Sequence, residues 1–420
     1  MQTYSDALPL HEELDSSSAG KARAWQLIAR EFAKEVMRPC AAQLDPLPAT
    51  EVSTNAAFKE FFKKAHGQRL HAMACPEAMG GGGASIYEQS LVYEELGWGS
   101  SGLALSLVVS QIPFLALSAH ASADLQDQYL RPYLEDRQAE FIGCYPVTEP
   151  AHGSDLFFIG NPVHGGRSEW SLARLNYETN AYLDERRNEW VINGQKAQWI
   201  TNTSIATHAF VLAALQAGGS AGFLVPLSTA GVERGVALEK LGQREMNQAG
   251  ISFKDVRIPY DHMLIGPGDY QRFISNAFGN AYILIGAVCV GIARAALEEA
   301  VAFCKARVQG GARLVEHQDV QRRLMDLFAE VELMRAYIRS LARYHSDAAK
   351  TRLMHYSAVA RGHVSKQAFK VCSDALDLFG HVGFSKGVLI EKLYRDARMT
   401  RMMGGAGTVA QLRAAQEFFS

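Results

Sequence analysis

The segment Tyr145-Pro-Val-Thr-Glu-Pro-Ala-His-Gly-Ser-Asp155 stands where the pattern of the chain changes. Before it, from Lys21 to about Ser118, apolar residues recur three and four positions apart, which predicts helices. After it come short alternating or β-branched runs such as Gly222-Phe-Leu-Val-Pro, which predict strands. Long helical patterns return after Pro267. The order predicts an α+β fold in which a β block separates two helical blocks.

Three domains follow from these changes of pattern. We expect an N-terminal helical domain over residues 1–140, a middle β domain over 141–262 and a C-terminal helical bundle over 263–420. The spacing of apolar residues from Val320 to Tyr344 suits a helix of such a bundle. Within the β block, Asn193-Gly194 predicts a hairpin turn, because both residues tolerate positive φ.

Composition excludes several classes of function. The 420 residues carry a formal net charge of only -2, which gives no electrostatic reason to expect nucleic acid as a partner. The first twenty residues are polar and acidic, unlike a secretory signal. The apolar run Ala281–Ala293 is too short to cross a bilayer, so we expect a buried helix and no membrane span. A cytoplasmic protein is the resulting expectation.

The cysteines and histidines predict no metal site. No cluster of these residues has the spacing of zinc ligands. The cysteines lack any C-x-x-C pair, which is typical of reduced, buried thiols, and they are Cys40, Cys75, Cys144, Cys289, Cys304 and Cys372.

Two motifs carry a resemblance to a known family. The segment Tyr145–Asp155 resembles the Thr-Glu-Pro-x-x-Gly-Ser-Asp signature of the acyl-CoA dehydrogenase family. The segment Ile192–Asn202 is similar to the family's Asn-Gly-x-Lys-x-Trp-Ile-Thr-Asn strand pair, with one extra residue between Lys196 and Trp199. Further matches occur in the family's order at Leu241–Arg244, Val256–Pro259, Lys305–Arg307, Leu378–Phe384 and Tyr394–Ala397. The resemblance spans roughly Trp25 to Phe418.

The resemblance implies a fold, a cofactor and a set of binding residues. Members of this family have a helical, a β and a four-helix-bundle domain, and they bind FAD at the junction of the last two. By this resemblance, the flavin ring and its near phosphates would contact Tyr145, Val147, Thr148, Gly153, Ser154, Trp199 and Thr201. The FAD of a neighbouring subunit would contact Arg307 and Gly380, and Thr408 would lie at another position that contacts the FAD pyrophosphate. A homotetramer or homodimer follows from such a shared site.

The resemblance breaks at the proton-abstracting base. In the family, a glutamate shortly after an Arg-Asp pair removes the α proton of an acyl thioester. Counting from Arg395-Asp396, that position is Gly404. The position that some members use instead is Ala281, and the arginine beside it is replaced by Tyr282. Neither position carries a carboxylate, so the catalytic base is left unassigned.

Other candidate bases and an insertion lie near the first motif. His152, Asp155 and His381 fall in the cofactor-proximal motifs, where a histidine is more often structural. The connection after Asp155 is about twenty residues longer than the family's, with the extra segment at about 156–172. This insertion is either a surface extension or a lid or docking loop.

Three functional hypotheses remain open. The first is an FAD-dependent oxidoreductase acting on CH–CH groups of an acyl thioester, carried by CoA or by an acyl carrier protein, with an electron-acceptor partner. The second is a flavin-dependent monooxygenase on the same fold, supplied by a partner reductase. The third is a non-catalytic or FAD-binding subunit that pairs with a base-bearing homologue.

Overall fold

A computed structural model describes residues 20–158, 177–347, 350 and 353–419. The predicted order of helical, β and helical blocks is confirmed in these residues. Most of the insertion predicted at 156–172 lies outside the described residues, so its role stays a prediction.

The N-terminal block consists of nine described helices. A capping box begins the longest of them, because the Ser85 hydroxyl accepts a hydrogen bond from Glu88 N and the Glu88 carboxylate accepts one from Ser85 N. The helices are α1 (Lys21–Phe32), α2 (Arg38–Leu44), α3 (Ala49–Val52), α4 (Ala56–Gly67), α5 (Ile86–Gly99), α6 (Ser101–Ser110), α7 (Ile112–His120), α8 (Ala123–Leu125) and α9 (Arg131–Glu135).

The middle block is an eight-stranded, mostly antiparallel sheet. Its strands are β1 (Gly143–Cys144), β2 (Asn180–Asp184), β3 (Glu189–Thr201), β4 (His208–Leu215), β5 (Ser220–Pro226), β6 (Val232–Arg234), β7 (Gln248–Pro259) and β8 (Met263–Ile265). They lie in the order β6-β7-β3-β2-β4-β5-β8, with β1 parallel to β4. The long pair β3 and β7 forms the part of the sheet on which the candidate site is built.

The hairpin predicted at Asn193-Gly194 is wrong. Both residues lie inside β3, at an irregularity in its pairing with β7. The Asn193 side chain accepts a hydrogen bond from Asp255 N at 2.8 Å, so a partner far along the chain decides the local geometry. Gly194 has φ of +138° and leaves room for Thr179, whose Cα would lie 2.5 Å from an added Cβ. The dipeptide therefore forms a bulge instead of a turn.

The C-terminal block is a bundle built around one long helix. Its elements are α10 (Tyr270–Ala306), β9 (Val308–Gln309), β10 (Ala312–Arg313), α11 (Gln318–His345), α12 (Met354–Val359), α13 (Ser365–Asp377), α14 (Leu389–Thr400) and α15 (Gly407–Phe419). A π-helical turn over Ala360–Val364 joins α12 to α13. The four members of the bundle are thus α10, α11, the joined pair α12–α13, and α14. Helix α15 follows the bundle in the chain.

Within the described residues, two segments are long and apolar enough to cross a membrane by composition, Ser101–His120 and Tyr270–Ala306. The most apolar windows of these segments are 67% and 89% buried inside the protein. The second contains Ala281–Ala293, so the buried helix predicted there is confirmed.

One of the three apolar cores joins all three blocks. It contains Phe114 of α7, Phe210 of β4, Tyr282 of α10 and Ala410 of α15. The other two cores lie between the N-terminal helices and the bundle, and within the sheet. The shared core brings the sheet, the start of α10 and the start of α15 together, and the candidate site lies there.

Candidate functional site

The structure places Thr148 beside the C-terminal part of β3, which carries Trp199 and Thr201. Ala197 N donates a hydrogen bond to Thr148 O at 2.8 Å, which fixes the Thr148 segment beside β3. The pairing of β3 with β7 is irregular between Lys196 and Ile200, where the sequence has its extra residue. At this bulge the Trp199 ring is 55% exposed, an unusual position for a large aromatic side chain.

Unsatisfied polar atoms lie next to Trp199. Thr201 is buried and its hydroxyl accepts a hydrogen bond from Gln248 Nε2 at 3.2 Å. Within the described residues, Gln248 Oε1, Asn247 Nδ2 and Asn202 Oδ1 are buried without a hydrogen-bond partner. An exposed indole beside buried, unpaired polar atoms fits a planar heterocycle with hydrogen-bonding edges, such as a flavin ring. The residues present therefore fit the cofactor that the motifs imply.

A buried ion pair holds the Thr148 segment in place. Lys196 Nζ lies 2.7 Å from Glu149 Oε1, and both side chains are fully buried. Glu149 also accepts hydrogen bonds from Glu178 N and Thr179 N. Burial lowers the pKa of Lys196 to about 8, although the adjacent Glu149 acts against this shift. Since the pair and its hydrogen bonds satisfy one another, these residues position the site and are not free to react.

Ser154 connects the first motif to the turn that holds Gly404. Ser154 Oγ accepts a hydrogen bond from Ala406 N at 2.9 Å. Gly153, which precedes it, is exposed, and its N donates to Asp155 Oδ1 at 2.6 Å. Thr408 lies in the first turn of α15, directly after the same turn. The structure thus places Gly153, Ser154 and Thr408 around one junction.

The two usual base positions converge on one stretch of α10. Gly404 has φ of +64°, and a Cβ there would lie 2.6 Å from Ile285 Cδ1. Ala281 lies one helical turn before Ile285. The Arg361 guanidinium donates to the carbonyls of Arg401 and Gly405 and so holds this turn. The two usual base positions therefore lie at a single place in the protein, and neither carries a carboxylate.

A cavity of about 500 Å³ adjoins this place. Tyr145, Ala281 and Leu284 line it, together with one face of α5 and the chain from Val108 to His120. The Tyr145 hydroxyl is buried with no hydrogen-bond partner in the described chain, and burial raises its pKa well above the usual value. Tyr145 begins the segment whose Thr148 is bonded to β3, so this segment links the cavity wall to the strand that carries Trp199 and Thr201.

The cavity holds few groups that could accept a proton. Asp269 supplies its one carboxylate among the described lining residues, and this carboxylate is half-exposed and paired with Arg272 at 2.6 Å. His120 also lines it, and burial lowers the pKa of His120, which favours the uncharged imidazole. These residues were missed in the sequence, because no local pattern signals that Asp269 and His120 share a cavity.

His152, Asp155 and His381 do not line the cavity. The His152 ring nitrogen Nδ1 lies 2.8 Å from Asp155 Oδ2, so these two side chains pair with each other. Val147 is buried, and its carbonyl lies 3.4 Å from Lys196 Nζ. The structural interpretation of His152 is thus favoured by its pairing.

Arg307 and Gly380 lie far from the cavity of their own chain. The 26-residue separation of Ala281 and Arg307 along α10 corresponds to about 39 Å at the rise of an α-helix. Phe303 and Phe379 stack with ring centroids 4.1 Å apart, which brings Arg307 and Gly380 to the same end of the bundle. Both residues are exposed there. Within one chain they do not join the site.

A cluster of buried carboxylates elsewhere in the protein is neutralised by neighbouring cations. Oxygens of Asp45, Glu245 and Asp396 lie within 4.8 Å of one another. Lys392 Nζ lies 2.8 Å from Glu245 and also contacts Asp396, while Arg395 binds Asp45 at 2.7 Å. These cations occupy the space between the carboxylates, so the cluster is an ionic part of the core.

Comparison with known proteins gives matches along almost the whole chain. Profiles of the acyl-CoA dehydrogenase N-terminal, middle and C-terminal domains match residues 21–137, 144–256 and 271–418. The mitochondrial short-chain specific acyl-CoA dehydrogenase of Homo sapiens is 30% identical over 391 residues, which cover 91% of this chain and 86% of that protein.

Solved structures share the fold. Butyryl-CoA dehydrogenase from Megasphaera elsdenii superimposes with a TM-score of 0.80 at 22% identity, over 95% of this chain and 98% of that one. The flavoprotein nitroalkane oxidase gives a TM-score of 0.83 at 21% identity, over 95% of each chain. The resemblance carried by the motifs is confirmed, and the chain belongs to the acyl-CoA dehydrogenase family.

Proposed function

We propose that this protein is an FAD-dependent oxidoreductase that acts on an acyl thioester carried by CoA or by an acyl carrier protein. The observation that carries the proposal is the continuity of two features. Tyr145 lines the cavity with Ala281, and Thr148 of the same segment accepts a hydrogen bond from Ala197 N of β3, the strand that also carries the exposed Trp199 and the buried Thr201. The names of the human and Megasphaera elsdenii proteins describe acyl-CoA dehydrogenases and support a thioester as the substrate.

The chain's own residues have distinct tasks in this proposal. Thr148 and Thr201 offer hydroxyls to the edge of the flavin ring, and Trp199 covers one of its flanks. Ser154, which is tied to the 404–406 turn by its bond to Ala406 N, faces the phosphates or the substrate arm. When bound, FAD supplies the acceptor for the hydride that leaves the substrate. The cavity walls position the acyl chain and exclude water.

Proton removal requires a group other than the usual glutamate. With glycine at position 404 and alanine at position 281, neither of the two usual base positions offers a carboxylate. We assign the role to His120, which lines the cavity and whose pKa is lowered by partial burial, or to a basic group of the substrate itself. The His120→Gln variant separates these two sources, since it should remain active only if the substrate supplies the base.

The test is the absorbance spectrum of the purified protein, followed by anaerobic titration with acyl-CoA and acyl-carrier thioesters. A bound flavin that loses its visible absorbance with one of these thioesters would support the proposal. A flavin-loaded protein that keeps its colour with every thioester would contradict it.

A flavin-dependent monooxygenase is the second candidate. The absence of a carboxylate at positions 404 and 281 favours a reaction that does not begin with removal of a thioester proton. Rapid mixing of the reduced enzyme with oxygen distinguishes the two: a monooxygenase gives a transient absorbance before the oxidised spectrum returns. Direct reoxidation without a transient species argues against this candidate.

The assembly and partners are part of the same proposal. Because Arg307 lies about 39 Å from Ala281 along the helix axis, and Gly380 lies at the same end of the bundle as Arg307, we infer that both complete the FAD site of another subunit in a homodimer or homotetramer. An electron acceptor or a reductase then exchanges electrons with the flavin, in the cytoplasm. A third candidate, a non-catalytic subunit paired with a base-bearing homologue, is excluded if the protein purified alone is flavin-loaded and active.

A further inference from the structure

Two polar side chains form part of the cavity wall away from α10. Tyr93 lies on the face of α5 that also presents Ile86 and Gln89 to the cavity. Gln111 follows the last turn of α6 and lines the same cavity. Gln111 Nε2 donates a hydrogen bond to the Tyr93 hydroxyl at 2.8 Å. We name these two residues the Tyr93–Gln111 pair.

The hydrogen bonds of the pair are incomplete. Gln111 Nε2 donates its second hydrogen to Leu107 O at 3.2 Å. The Tyr93 hydroxyl accepts from Gln111, but in the described chain no group accepts its own proton, and none donates to Gln111 Oε1. Tyr93 is 1% and Gln111 3% exposed. One donor and one acceptor are thus unused at the border of a cavity.

The surroundings make these two unused groups selective. Val108 and Ile112, the cavity-lining neighbours of Gln111 in sequence, are apolar. Gln89, one turn from Tyr93, already donates its amide to Ala84 O at 2.8 Å. Burial raises the pKa of Tyr93, so its hydroxyl stays protonated and can donate. The pair offers its partner no charge.

We propose that the Tyr93–Gln111 pair binds a neutral hydroxyl group carried on the acyl chain of the substrate. The substrate hydroxyl would accept the proton of Tyr93 and donate its own to Gln111 Oε1, which satisfies both groups at once. This proposal rests on the proposed function, because it takes the cavity to hold an acyl chain. A carboxylate does not fit, since it cannot donate to Gln111 and finds no cation in the pair.

The proposal predicts a preference among thioesters. A plain alkyl chain would displace water from the pair and leave a buried donor and acceptor unpaired, which costs affinity. Sites built to bond a substrate hydroxyl reject the analogue that lacks it far more strongly than an apolar site does. Since an unpaired buried polar group costs about 1–3 kcal/mol, we expect the hydroxylated chain to bind about 10- to 100-fold more tightly than the plain chain of matching length.

The experiment uses the flavin-loaded protein and isothermal titration calorimetry. The probes are pairs of acyl and hydroxyacyl pantetheine thioesters of equal length, with the hydroxyl on the distal carbon and chains of four to ten carbons. The Tyr93→Phe variant should reduce the preference to within about threefold, because it removes the donor. The Gln89→Met variant, which alters the same wall one turn away, should keep the preference.

The outcomes separate this proposal from the proposed dehydrogenation. Affinity reports on the hydroxyl, and loss of flavin absorbance reports on the reaction. Hexanol and methyl hexyl ether, compared by ligand-observed NMR, test the pair without any thioester, since the ether cannot donate to Gln111. Equal or tighter binding of the plain chain at every length would overturn the proposal. So would a preference that persists in a Tyr93→Phe, Gln111→Met double variant, or no binding by any probe.

Discussion

Gly404 shows how one residue combines a backbone requirement with a loss of chemistry. Its φ of +64° is in the left-handed region, which costs an L-residue about 1–2 kcal/mol. The turn is also fixed by the Arg361 guanidinium, which donates to the carbonyl of the next residue. A side chain at this position would point toward Ile285 on α10. The glycine therefore fits this turn as it stands.

The Gly404→Glu variant should gain some dehydrogenase activity at a cost in stability. Its Cβ would approach the flexible end of Ile285, so the steric cost is small and the backbone strain of about 1–2 kcal/mol dominates. We expect faster loss of flavin absorbance with acyl-CoA thioesters, together with a lower midpoint of urea unfolding. Both quantities are measured on the same preparation.

Two matched variants control this prediction. The Gly404→Gln variant has the same strain and no carboxylate, so it should be destabilised without any gain in rate. The Ala281→Glu variant places a carboxylate in the cavity from regular helix and avoids the strain. Equal rates for the glutamate and glutamine variants at position 404 would show that the cleft no longer admits a thioester for this reaction.

Trp199 should matter for flavin retention and little for folding. Its ring is 55% exposed, so the Trp199→Ala variant should change the unfolding free energy of flavin-free protein by less than about 1 kcal/mol. The flavin-to-protein absorbance ratio after gel filtration should fall. Trp190 is the control: it is buried and donates to Tyr260 O, so Trp190→Ala should cost about 3–5 kcal/mol. A Trp199→Ala variant that retains flavin like the wild type would contradict the assignment.

At the scale of elements, a buried ionic network holds α5 against the bundle. Glu94 of α5 accepts from Arg335 Nε at 2.9 Å and contacts Arg294 and Arg339 at 3.3 Å. These arginines lie on α10 and α11. Since the helix that carries Glu94 also lines the cavity, the network positions one wall of the site.

The Glu94→Ala variant should be destabilised by about 3–5 kcal/mol, because it removes a buried carboxylate that Arg294, Arg335 and Arg339 share. The measurement is the urea midpoint at a constant m-value. Glu60 on α4 is the control, because it is half-exposed and lies 3.9 Å from Lys64, so Glu60→Ala should change stability by less than about 1 kcal/mol. Similar effects for the two variants would refute the structural role of the network.

The packing of His71, which lies in the turn Leu70–Ala72 between His66 of α4 and Tyr133 of α9, should weaken at acidic pH. His71 stacks on His66 with ring centroids 3.9 Å apart, and its Nε2 bonds with Tyr133 O. Burial, followed by the neighbouring His66, lowers the pKa of His71 to about 3, against the opposing effect of Asp136. In the unfolded chain His71 takes up a proton near pH 6.5, while in the folded protein it does not. The contribution of His71 to stability is therefore fully present above pH 6.5. It falls by up to about 1.4 kcal/mol per pH unit below that.

The pH prediction is checked by urea unfolding between pH 7.5 and pH 5. The His71→Asn variant is less stable at neutral pH and should lose part of the slope of the wild type, because it has no imidazole to protonate. A variant with the slope of the wild type would assign the pH dependence to other groups, such as His208, whose pKa burial lowers to about 4.

The sequence predicts what local periodicity decides and misses what distant contacts decide. The helical blocks and the buried helix at Ala281–Ala293 could be predicted because apolar spacing determines them locally. The conformation of Asn193-Gly194 could not be predicted, because the hydrogen bond from Asp255 N holds these residues in a bulge of β3 where the dipeptide is typical of a turn. Tyr93 and Gln111 are 18 residues apart and meet only when α5 and α6 pack. The residues that line the cavity likewise come together only through tertiary packing.

At the scale of the whole molecule, the two halves of the predicted FAD site lie at opposite ends of the long helix α10. The cavity lies near its beginning, and Arg307 follows its last residue. Exposed apolar side chains near this far end, Val308 at 61% and Phe384 at 69%, are available for contact with another chain. A second copy placed there would bring its own cavity end toward Arg307. We therefore expect each flavin to contact two chains.

Subunit complementation tests this arrangement. The Trp199→Ala and Arg307→Ala variants should each retain little flavin, since each damages every site of its homo-oligomer. In a mixed dimer one site carries both changes and the other carries neither. Unfolding and refolding an equal mixture with FAD should therefore restore about a quarter of the wild-type flavin content, because random pairing makes half of the dimers mixed. Each variant refolded alone is the control. Flavin content in the mixture no higher than the average of the two variants would place Arg307 outside the shared site.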